Sequence, residues 1–440
     1  MQIKRRCCIV LVILCAGIAA RAQQMITLQD AIGAALKNNF DILLVRNDSV
    51  AAGVDQHYIY AGFLPTVNGT VGRVKTTSAQ KQEFDGRPQV EGSGIKTTNL
   101  NASVNLNWVL FDGLAMFATR DKINELFNLG KLNVKNQVIN STAEVINAYY
   151  IIVRQKQQLK AIEEQMSINE ERVKLADRKL SVGLGTKPEL LQAKVDLNAQ
   201  KATRLQQQSI MAQSKERLNQ LTGMLLPEQY EVSDSIPIQD NLTIEDIQNN
   251  IEATSPAILQ ALKSVDISKL SLKQVEATRW PTISFVSAYN FTRNDNVNNI
   301  NPYAAVFSRN KGYNFGFTAN VPILNYMNVN RSVKQAKLHV EYQQITLAKQ
   351  KNEVNVLIKA GYYNYQFQVS TLRLEEDNIE LAKENVFIAL ERFKLGVSTF
   401  LELREAQKSL EDAYDRLIAA RYNTKLSETE LMRLKGDLVK

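Results

Sequence analysis

The chain has 440 residues and a formal net charge of +8, with 45% hydrophobic and 22% charged residues. This charge is too small to indicate nucleic-acid binding, since such domains carry strongly basic patches. The two histidines, His57 and His339, have no metal-ligand partner at coordinating spacing, and there is no phosphate-binding loop or dinucleotide fingerprint, so we predict no enzyme activity, no cofactor and no metal site.

The first 22 residues predict a secretory signal peptide. Three basic residues at positions 4–6 precede an apolar run over 7–20, and the triplet Ala20-Arg21-Ala22 is typical of a cleavage site. The run is shorter than the roughly 20 residues of a membrane-spanning helix, which disfavours a retained anchor. Cleavage removes four positive charges, which lowers the net charge to 8 − 4 = +4. It also removes every cysteine of the chain: Cys7, Cys8 and Cys15.

An internal duplication covers most of the chain, so one structural unit is expected to occur twice. The segment RKLSVGLGTKPELLQA, which begins at Arg178, matches ERFKLGVSTFLELREA, which begins at Glu391, 213 positions later. We predict two repeats over 23–223 and 244–436, a linker over 224–243 and a short C-terminal end over 437–440. Each repeat is predicted to run helix, strand, loop, strand, long helix, turn, helix.

The predicted long helices cover 114–181 and 327–394, each roughly 100 Å long at about 1.5 Å per residue. After a turn, shorter helices are predicted over 186–221 and 399–434, so each half forms a helical hairpin. Apolar residues alternate at spacings of three and four, which is a coiled-coil seam. Taken alone, this pattern favours a soluble coiled-coil scaffold. The predicted seams are Leu159, Ile162, Met166, Val173, Ala176 and Leu180 in the first half and Leu372, Ile379, Ala382, Val386, Ala389 and Phe393 in the second.

Alternating apolar and polar residues predict four strands, over 66–74, 100–110, 282–292 and 314–321. Each strand has about the 9 to 11 residues that cross a bilayer at a tilt. Long polar loops over 75–98 and 293–312 favour an outer-membrane hairpin over a half-buried sheet in a soluble domain. The residues predicted to face lipid are Leu100, Ala102, Val104, Leu106 and Trp108 in the second strand and Phe315, Phe317, Ala319 and Val321 in the fourth.

Four strands do not close a barrel, and an open edge in lipid leaves backbone groups without hydrogen bonds. We therefore predict that several copies of the chain contribute their strands to one shared barrel. Strand number alone does not distinguish a dimer from a trimer or a tetramer.

Over essentially all of the predicted mature chain, the sequence resembles the TolC family of outer-membrane efflux proteins. The resemblance is carried by the duplication, by a proline at each helix-to-strand junction, by Leu110-Phe111-Asp112-Gly113 after the second strand and by Val182-Gly183-Leu184-Gly185-Thr186 at the first helical turn. It implies a mainly α protein with a membrane β-barrel portion. Three identical chains would share a twelve-stranded barrel and a periplasmic tunnel of twelve helices, in the outer membrane of a Gram-negative bacterium.

The function that this resemblance implies is a passive exit duct of a tripartite efflux system. Such a duct conducts substrates from the periplasm to the exterior when it is docked to a periplasmic adaptor, also called a membrane fusion protein, and an inner-membrane pump. The alternative within the same fold is the exit channel of a one-step, type I protein secretion system. A non-channel periplasmic coiled-coil protein is the alternative from another class, and it should lack amphipathic strands.

The resemblance also implies that the adaptor docks on the tips of the helical hairpins. The first tip comprises Val182, Gly183, Leu184, Gly185 and Thr186, and the second comprises Leu395, Gly396, Val397, Ser398 and Thr399, which match the family pattern less closely. Glycine at 183 and 396 also fits the left-handed residue that ends a long helix. Family ducts narrow at acidic rings near this end, for which the candidates by position are Asp177, Glu384, Glu391, Glu402 and Glu405. Solvated faces of a coiled coil explain the same charges.

Overall fold

The computed structural model describes residues 24–224, 226–227, 230–239, 242–298, 300, 305–325 and 327–438. The predicted signal peptide lies outside these residues. The described chain divides into two compact units. In chain order its elements are β1 (Gln24–Met25), α1 (Leu28–Asn38), α2 (Phe40–His57), a 3₁₀ turn (Ala61–Phe63), β2 (Thr66–Phe84), β3 (Arg87–Phe111), α3 (Ala115–Ser181), α4 (Lys187–Leu221), β4 (Tyr230–Glu231), α5 (Ile244–Gln248), α6 (Ile251–Thr254), α7 (Pro256–Ala277), β5 (Thr282–Val297), β6 (Phe307–Asn320), α8 (Asn328–Lys394) and α9 (Phe400–Lys435).

The four long helices each begin one residue after the predicted start. The reason is visible in the backbone of the residues that precede them. Leu114 and Met327 have left-handed φ angles of 72° and 65° and so stand outside α3 and α8. Thr186 and Thr399 are N-caps, whose side chains accept hydrogen bonds from the first turns of α4 and α9. Among the described residues, no helix combines the length and the apolar character needed to cross a membrane.

The first compact unit consists of the described residues up to Ser49 with Gly130–Gln260 and Ala348–Lys440. In its second half, α8 and α9 pack along the predicted seam. The small alanine side chains in this seam let two helix backbones approach closely, as in other coiled coils. The buried residues of this seam are Leu372, Ile379, Ala382 and Val386 of α8 with Ala406, Leu410, Ala413, Leu417 and Ala420 of α9.

In the first half, the predicted seam of α3 is only partly correct. Of its six residues only Ala176 is buried, and the other five are partly exposed. The buried stripe runs instead through Ala161, Gln165, Asn169, Arg172 and Ala176. The reason is that this part of α3 contacts α4 and α9 at the same time, as the hydrogen bonds of Arg172 to Asp196 and to Gln407 show. The residues of α3 that face both of these helices are the most buried, and heptad spacing does not identify them.

The predicted linker also differs from the structure, because part of it belongs to the core of the first unit. Its β4 pairs in parallel with β1, and Tyr230, Val232 and Ile236 join the buried cluster that Tyr149 and its neighbours form. The Tyr149 hydroxyl donates a hydrogen bond to the Ile26 carbonyl at 3.0 Å and accepts one from the backbone of Ser233 at 3.1 Å. The buried apolar residues of this segment are separated by polar residues that are at least partly exposed.

The second compact unit, Val50–Leu129 with Ala261–Leu347, contains an antiparallel four-stranded sheet in the order β2-β3-β5-β6. Its strands are longer than predicted. Most of the predicted loop over 75–98 is strand, with a turn at Asp85 and Gly86, and β5 and β6 likewise extend into the predicted loop over 293–312. Strand pairing needs only backbone hydrogen bonds, so a hairpin that is polar on both faces gives no hydrophobic alternation to detect. At the other end, β6 stops at Asn320, so Val321 lies one residue outside the strand in which it was predicted.

The strand register places the predicted apolar residues on one face of the sheet. Val104 pairs with Tyr289, Trp108 pairs with Phe285, and Phe285 pairs with Phe317. Directly paired residues point to the same side of a sheet, and the next residue in each strand points to the other. The sheet therefore has one apolar face and one face rich in Asn, Ser and Thr. Its outer strands, β2 and β6, each pair with a single described strand.

Candidate functional site

The first hairpin tip is a pair of helix caps joined by a few residues. Gly183 has a left-handed φ of +77°, which turns the chain at the end of α3. The Leu184 N–H donates to the Lys179 carbonyl at 2.9 Å, and the Gly183 N–H donates to the Leu180 carbonyl at 3.1 Å. This is a Schellman motif, which satisfies carbonyls at the end of α3. Thr186 then caps α4 in a reciprocal capping box with Glu189.

The second tip repeats this geometry, as the duplication predicts. Gly396 has a φ of +73°, and the Val397 N–H donates to the Arg392 carbonyl at 2.9 Å. The Thr399 hydroxyl accepts a hydrogen bond from the Glu402 N–H at 3.2 Å, which caps α9. A methyl group at position 183 or 396 would meet no atom within 4 Å. The backbone angle alone therefore accounts for the two glycines.

Each tip exposes two aliphatic side chains. Leu184 is 81% exposed and Leu395 is 77% exposed, and Val182 and Val397 beside them are each 67% exposed. The backbone groups of both turns are satisfied internally, so these side chains are held outward on a rigid support. Exposed apolar side chains grouped at the end of an element are typical of a protein interaction surface.

The two tips are tied to each other within the first unit. The Lys179 ammonium donates to the Phe393 carbonyl at 2.7 Å and lies 3.9 Å from the centre of the Phe393 ring. The ammonium of Lys394 forms ion pairs with Glu391 at 2.9 Å and with Glu171 at 3.0 Å. Hydrogen bonds to these two carboxylates raise the pKa of Lys394. Cations near the last carbonyls of α8 also interact favourably with the helix dipole.

The candidate acidic residues differ in their surroundings. Glu391 is partly buried and is neutralised by Lys394. The remaining four are exposed on their helices: Asp177, Glu384, Glu402 and Glu405. Within the described part of the chain, no group of three or more His, Cys, Asp and Glu side chains is arranged to hold a metal ion. An acidic ring at this end stays a prediction.

A buried polar cluster connects three helices behind the first tip, and no sequence pattern revealed it. Arg172 of α3 is 1% exposed and donates to Asp196 of α4 at 2.6 Å and to Gln407 of α9 at 2.7 Å. Its guanidinium lies over the Phe400 ring at 4.9 Å, and Arg404 reaches the same carboxylate of Asp196 at 3.5 Å. Burial lowers the pKa of Arg172, while Asp196 acts in the opposite direction. The cluster lines a cavity of about 260 Å³.

The apolar face of the sheet carries eight of the nine residues that were predicted to contact lipid. The register adds residues that the sequence pattern did not single out, namely Val67 and Val71 of β2 and Tyr313 of β6. The opposite face is neutral and polar, and its members include Asn68, Asn101, Asn105, Asn107, Asn290 and Asn314. An apolar outside and an amide-lined inside are typical of strands that surround water in a membrane.

A sheet of this kind, in a chain with long helical hairpins, is the architecture of outer-membrane channel proteins. The family described as Outer membrane efflux protein matches the sequence over residues 31–224 and 248–437. The chain belongs to this family. The prediction of a TolC-type efflux protein in the outer membrane, which serves as an exit duct and not as an enzyme, is thereby confirmed.

Several characterised proteins are similar to the chain along most of its length. Outer membrane protein TolC of Salmonella enteritidis is 20% identical, over 79% of this chain and 71% of that protein. Probable efflux pump outer membrane protein TtgC of Pseudomonas putida is 21% identical, over 93% of this chain and 82% of that protein. The crystal structure of the Campylobacter jejuni CmeC outer membrane channel superposes with a TM-score of 0.76 at 16% identity, and covers 94% of this chain and 86% of that one.

Proposed function

We propose that three copies of the chain join their sheets edge to edge into one barrel, through which substrates leave the periplasm. The observation that carries this proposal is the pair of open edges, β2 and β6, on a sheet with one apolar face. Unpaired backbone groups in lipid cost several kcal/mol each, which disfavours an isolated sheet. Three copies of a four-stranded sheet supply twelve strands. The lipid-facing residues are those on the apolar face, and the Asn-rich face lines the water-filled interior.

Disulfide trapping tests the edge-to-edge assembly. Once the predicted signal peptide is removed the chain has no cysteine, so every crosslink comes from introduced residues. We expect that Val71→Cys in β2, combined in turn with cysteine at 311, 313, 315 or 317 in β6, forms a ladder up to a covalent trimer for one or two of these pairs. The measurement is a non-reducing gel of oxidised outer membranes.

The matched control for this scan is Val71→Cys combined with Asn314→Cys. Residue 314 lies in the same stretch of β6 but on the opposite face, so a disulfide between these two positions is not expected. A scan in which every pair stays monomeric would contradict the shared barrel, and a ladder that stops at the dimer would contradict the trimer.

We further propose that the two tips dock to a periplasmic adaptor that connects the duct to an inner-membrane pump. Support comes from the four exposed aliphatic side chains on rigid turns and from relatives whose names describe them as efflux pump proteins. Burying an exposed leucine contributes roughly 1.5–3 kcal/mol, so two such residues are enough to determine whether a complex is stable.

Replacing both tip leucines, Leu184→Asn with Leu395→Asn, is expected to reduce the amount of docked adaptor by at least about tenfold, since each 1.4 kcal/mol is a factor of ten. The measurement is photo-crosslinking from position 181 in whole cells, with the crosslinked protein identified by mass spectrometry. Leu205→Asn is the matched control, because this leucine is 62% exposed on α4 but lies away from the tip. Equal crosslinking in both variants, or a crosslinked protein that is not a periplasmic adaptor, would contradict the docking proposal.

A further inference from the structure

Three arginines form a row across the apolar face of the sheet. In the strand register Arg73 pairs with Leu100, Leu100 pairs with Arg293, and Arg293 pairs with Arg309. Paired residues point to the same side, so the three arginines share the side of Leu100 and the other apolar residues. All three side chains are exposed. The row therefore crosses all four strands on the outward face.

The position of this arginine row matches one edge of a membrane. Ile283, which pairs with Ala319, is among the apolar residues of this face that lie closest to the strand-to-helix junctions. Arg293 lies ten residues further along β5. At about 3.4 Å per residue and a strand tilt of about 40°, ten residues span roughly 26 Å along the membrane normal. This distance is close to the height of about 25 Å of the apolar band on membrane barrels. The row thus lies where the hydrocarbon ends on the side of the hairpin turns.

The positive charge is confined to the outward face. At the same height, the inward-facing row consists of Gly72, Asn101, Thr292 and Asn310, which are all neutral. The adjacent outward rows add two further basic residues, Lys311 and Lys75, both exposed. A general excess of basic residues would place positive charge on both faces of the sheet. The restriction points to an anionic partner outside the barrel.

The acidic groups near the row neutralise only part of it. Asp295 bridges Arg293 at 3.0 Å, and the Arg293 guanidinium also lies 5.2 Å from the centre of the Phe307 ring. The carboxylates of Glu83 and Glu91 lie further out on the β2–β3 hairpin, where Lys81 pairs with both. The row and its two lysines carry five positive charges against the single carboxylate of Asp295, so the surface stays basic.

We infer that this arginine row binds the phosphate groups of phosphorylated lipids in the leaflet on the turn side of the barrel. Guanidinium groups bind phosphate oxygens through paired, charge-assisted hydrogen bonds, and basic clusters at membrane interfaces recognise lipid headgroups. The inference rests on the proposed assignment of the apolar face to lipid. It assigns a headgroup-binding function to residues that the hydrophobic pattern alone would leave unexplained.

The test compares lipid retention by the purified oligomer in detergent. The variant is Arg73→Gln with Arg309→Gln and Lys311→Gln, and the probes are bisphosphorylated lipid A and phosphatidylcholine. We expect native mass spectrometry to show that the unaltered protein retains lipid A, and that the variant retains at least about tenfold less, because several basic contacts are lost together. Lipid A should also raise the melting temperature of the unaltered protein and leave that of the variant unchanged.

Two control variants distinguish headgroup binding from a general effect of charge and from poor assembly. Lys174→Gln with Lys201→Gln and Lys334→Gln removes the same charge from exposed helix positions and should leave lipid A retention unchanged. Replacing Arg73 and Arg309 with lysine keeps the positive charges, so this variant should retain more lipid A than the glutamine variant. It therefore serves as the charged comparison where the glutamine variant assembles poorly. Equal retention by the variant and the unaltered protein would overturn the inference, as would equal stabilisation by inorganic phosphate. If the disulfide ladder forms but lipid A is not preferred, the inference fails while the proposed duct stands.

Discussion

Replacing Gly113 with alanine is expected to destabilise the folded chain by about 2–5 kcal/mol. Gly113 follows β3 with a left-handed φ of +72°, and a Cβ atom there would lie 2.3 Å from the Ala277 carbonyl oxygen and 2.9 Å from the Trp280 Cβ. The left-handed angle costs an alanine about 1–2 kcal/mol, and overpacking typically adds about 1–3 kcal/mol. The measurement is thermal and denaturant unfolding of the detergent-solubilised oligomer at equal protein concentration, because the stability of an oligomer depends on concentration.

The control for this substitution is Gly86→Ala at the turn between β2 and β3. Gly86 has almost the same angle, a φ of +70°, but a Cβ atom there would meet nothing within 4 Å. Gly86→Ala should therefore cost only the about 1–2 kcal/mol of the left-handed backbone angle. The difference in unfolding free energy between the two variants then measures the cost of the steric overlap at position 113. If the two variants are equally stable, close packing is not the reason for glycine at position 113. A large loss for Gly113→Ala alone would show that the crossing from strand to helix depends on this contact.

Replacing Arg172 with methionine is expected to cost about 3 kcal/mol of unfolding free energy. The change removes a buried cation that bridges Asp196 of α4 and Gln407 of α9, and removing one partner of a buried pair typically costs about 3–5 kcal/mol. We expect the lower end of this range, because Arg404 lies 3.5 Å from the same carboxylate and stays in place. Arg172→Lys should recover only part of the loss, since an ammonium does not reproduce a planar, branched donor.

The matched control is Arg178→Met on the same helix. Arg178 is exposed and lies six residues nearer the tip. Substitutions at such surface positions usually change stability by less than about 0.5 kcal/mol. Both variants are compared by denaturant unfolding, and their folded oligomers by disulfide trapping. A loss for Arg172→Met no larger than that for Arg178→Met would mean that the three-helix contact contributes nothing net to stability.

Some features of the sequence were sufficient to locate parts of the structure. Gly183 and Gly396 identified the ends of both long helices, because a left-handed residue at the end of a helix is a local requirement of the backbone. The seam of α8 and α9 was equally readable, since its apolar residues form one buried cluster between those two helices. The starts of β2 and β5 followed from the proline before each strand and the alternation after it.

Other features required contacts between distant residues. Arg172 lies 24 residues from Asp196 and 235 from Gln407, and nothing in its neighbouring sequence distinguishes it from an exposed arginine. The polar outer half of the β2–β3 hairpin is predicted as a loop, because its strands carry no apolar face. Arg73, Arg293 and Arg309 become one row only when the register of three strand pairs is known.

The duplication, the helical hairpins, the amphipathic strands and the family can all be inferred from the amino-acid sequence, because each of them is expressed in local periodicity or in a short motif. The folded chain was needed to show which stripe of α3 is buried, how far the strands extend, and which charges share a face of the sheet. Helix caps and strand alternation depend on neighbouring residues. Burial between three helices and the alignment of four strands depend instead on which distant segments come into contact.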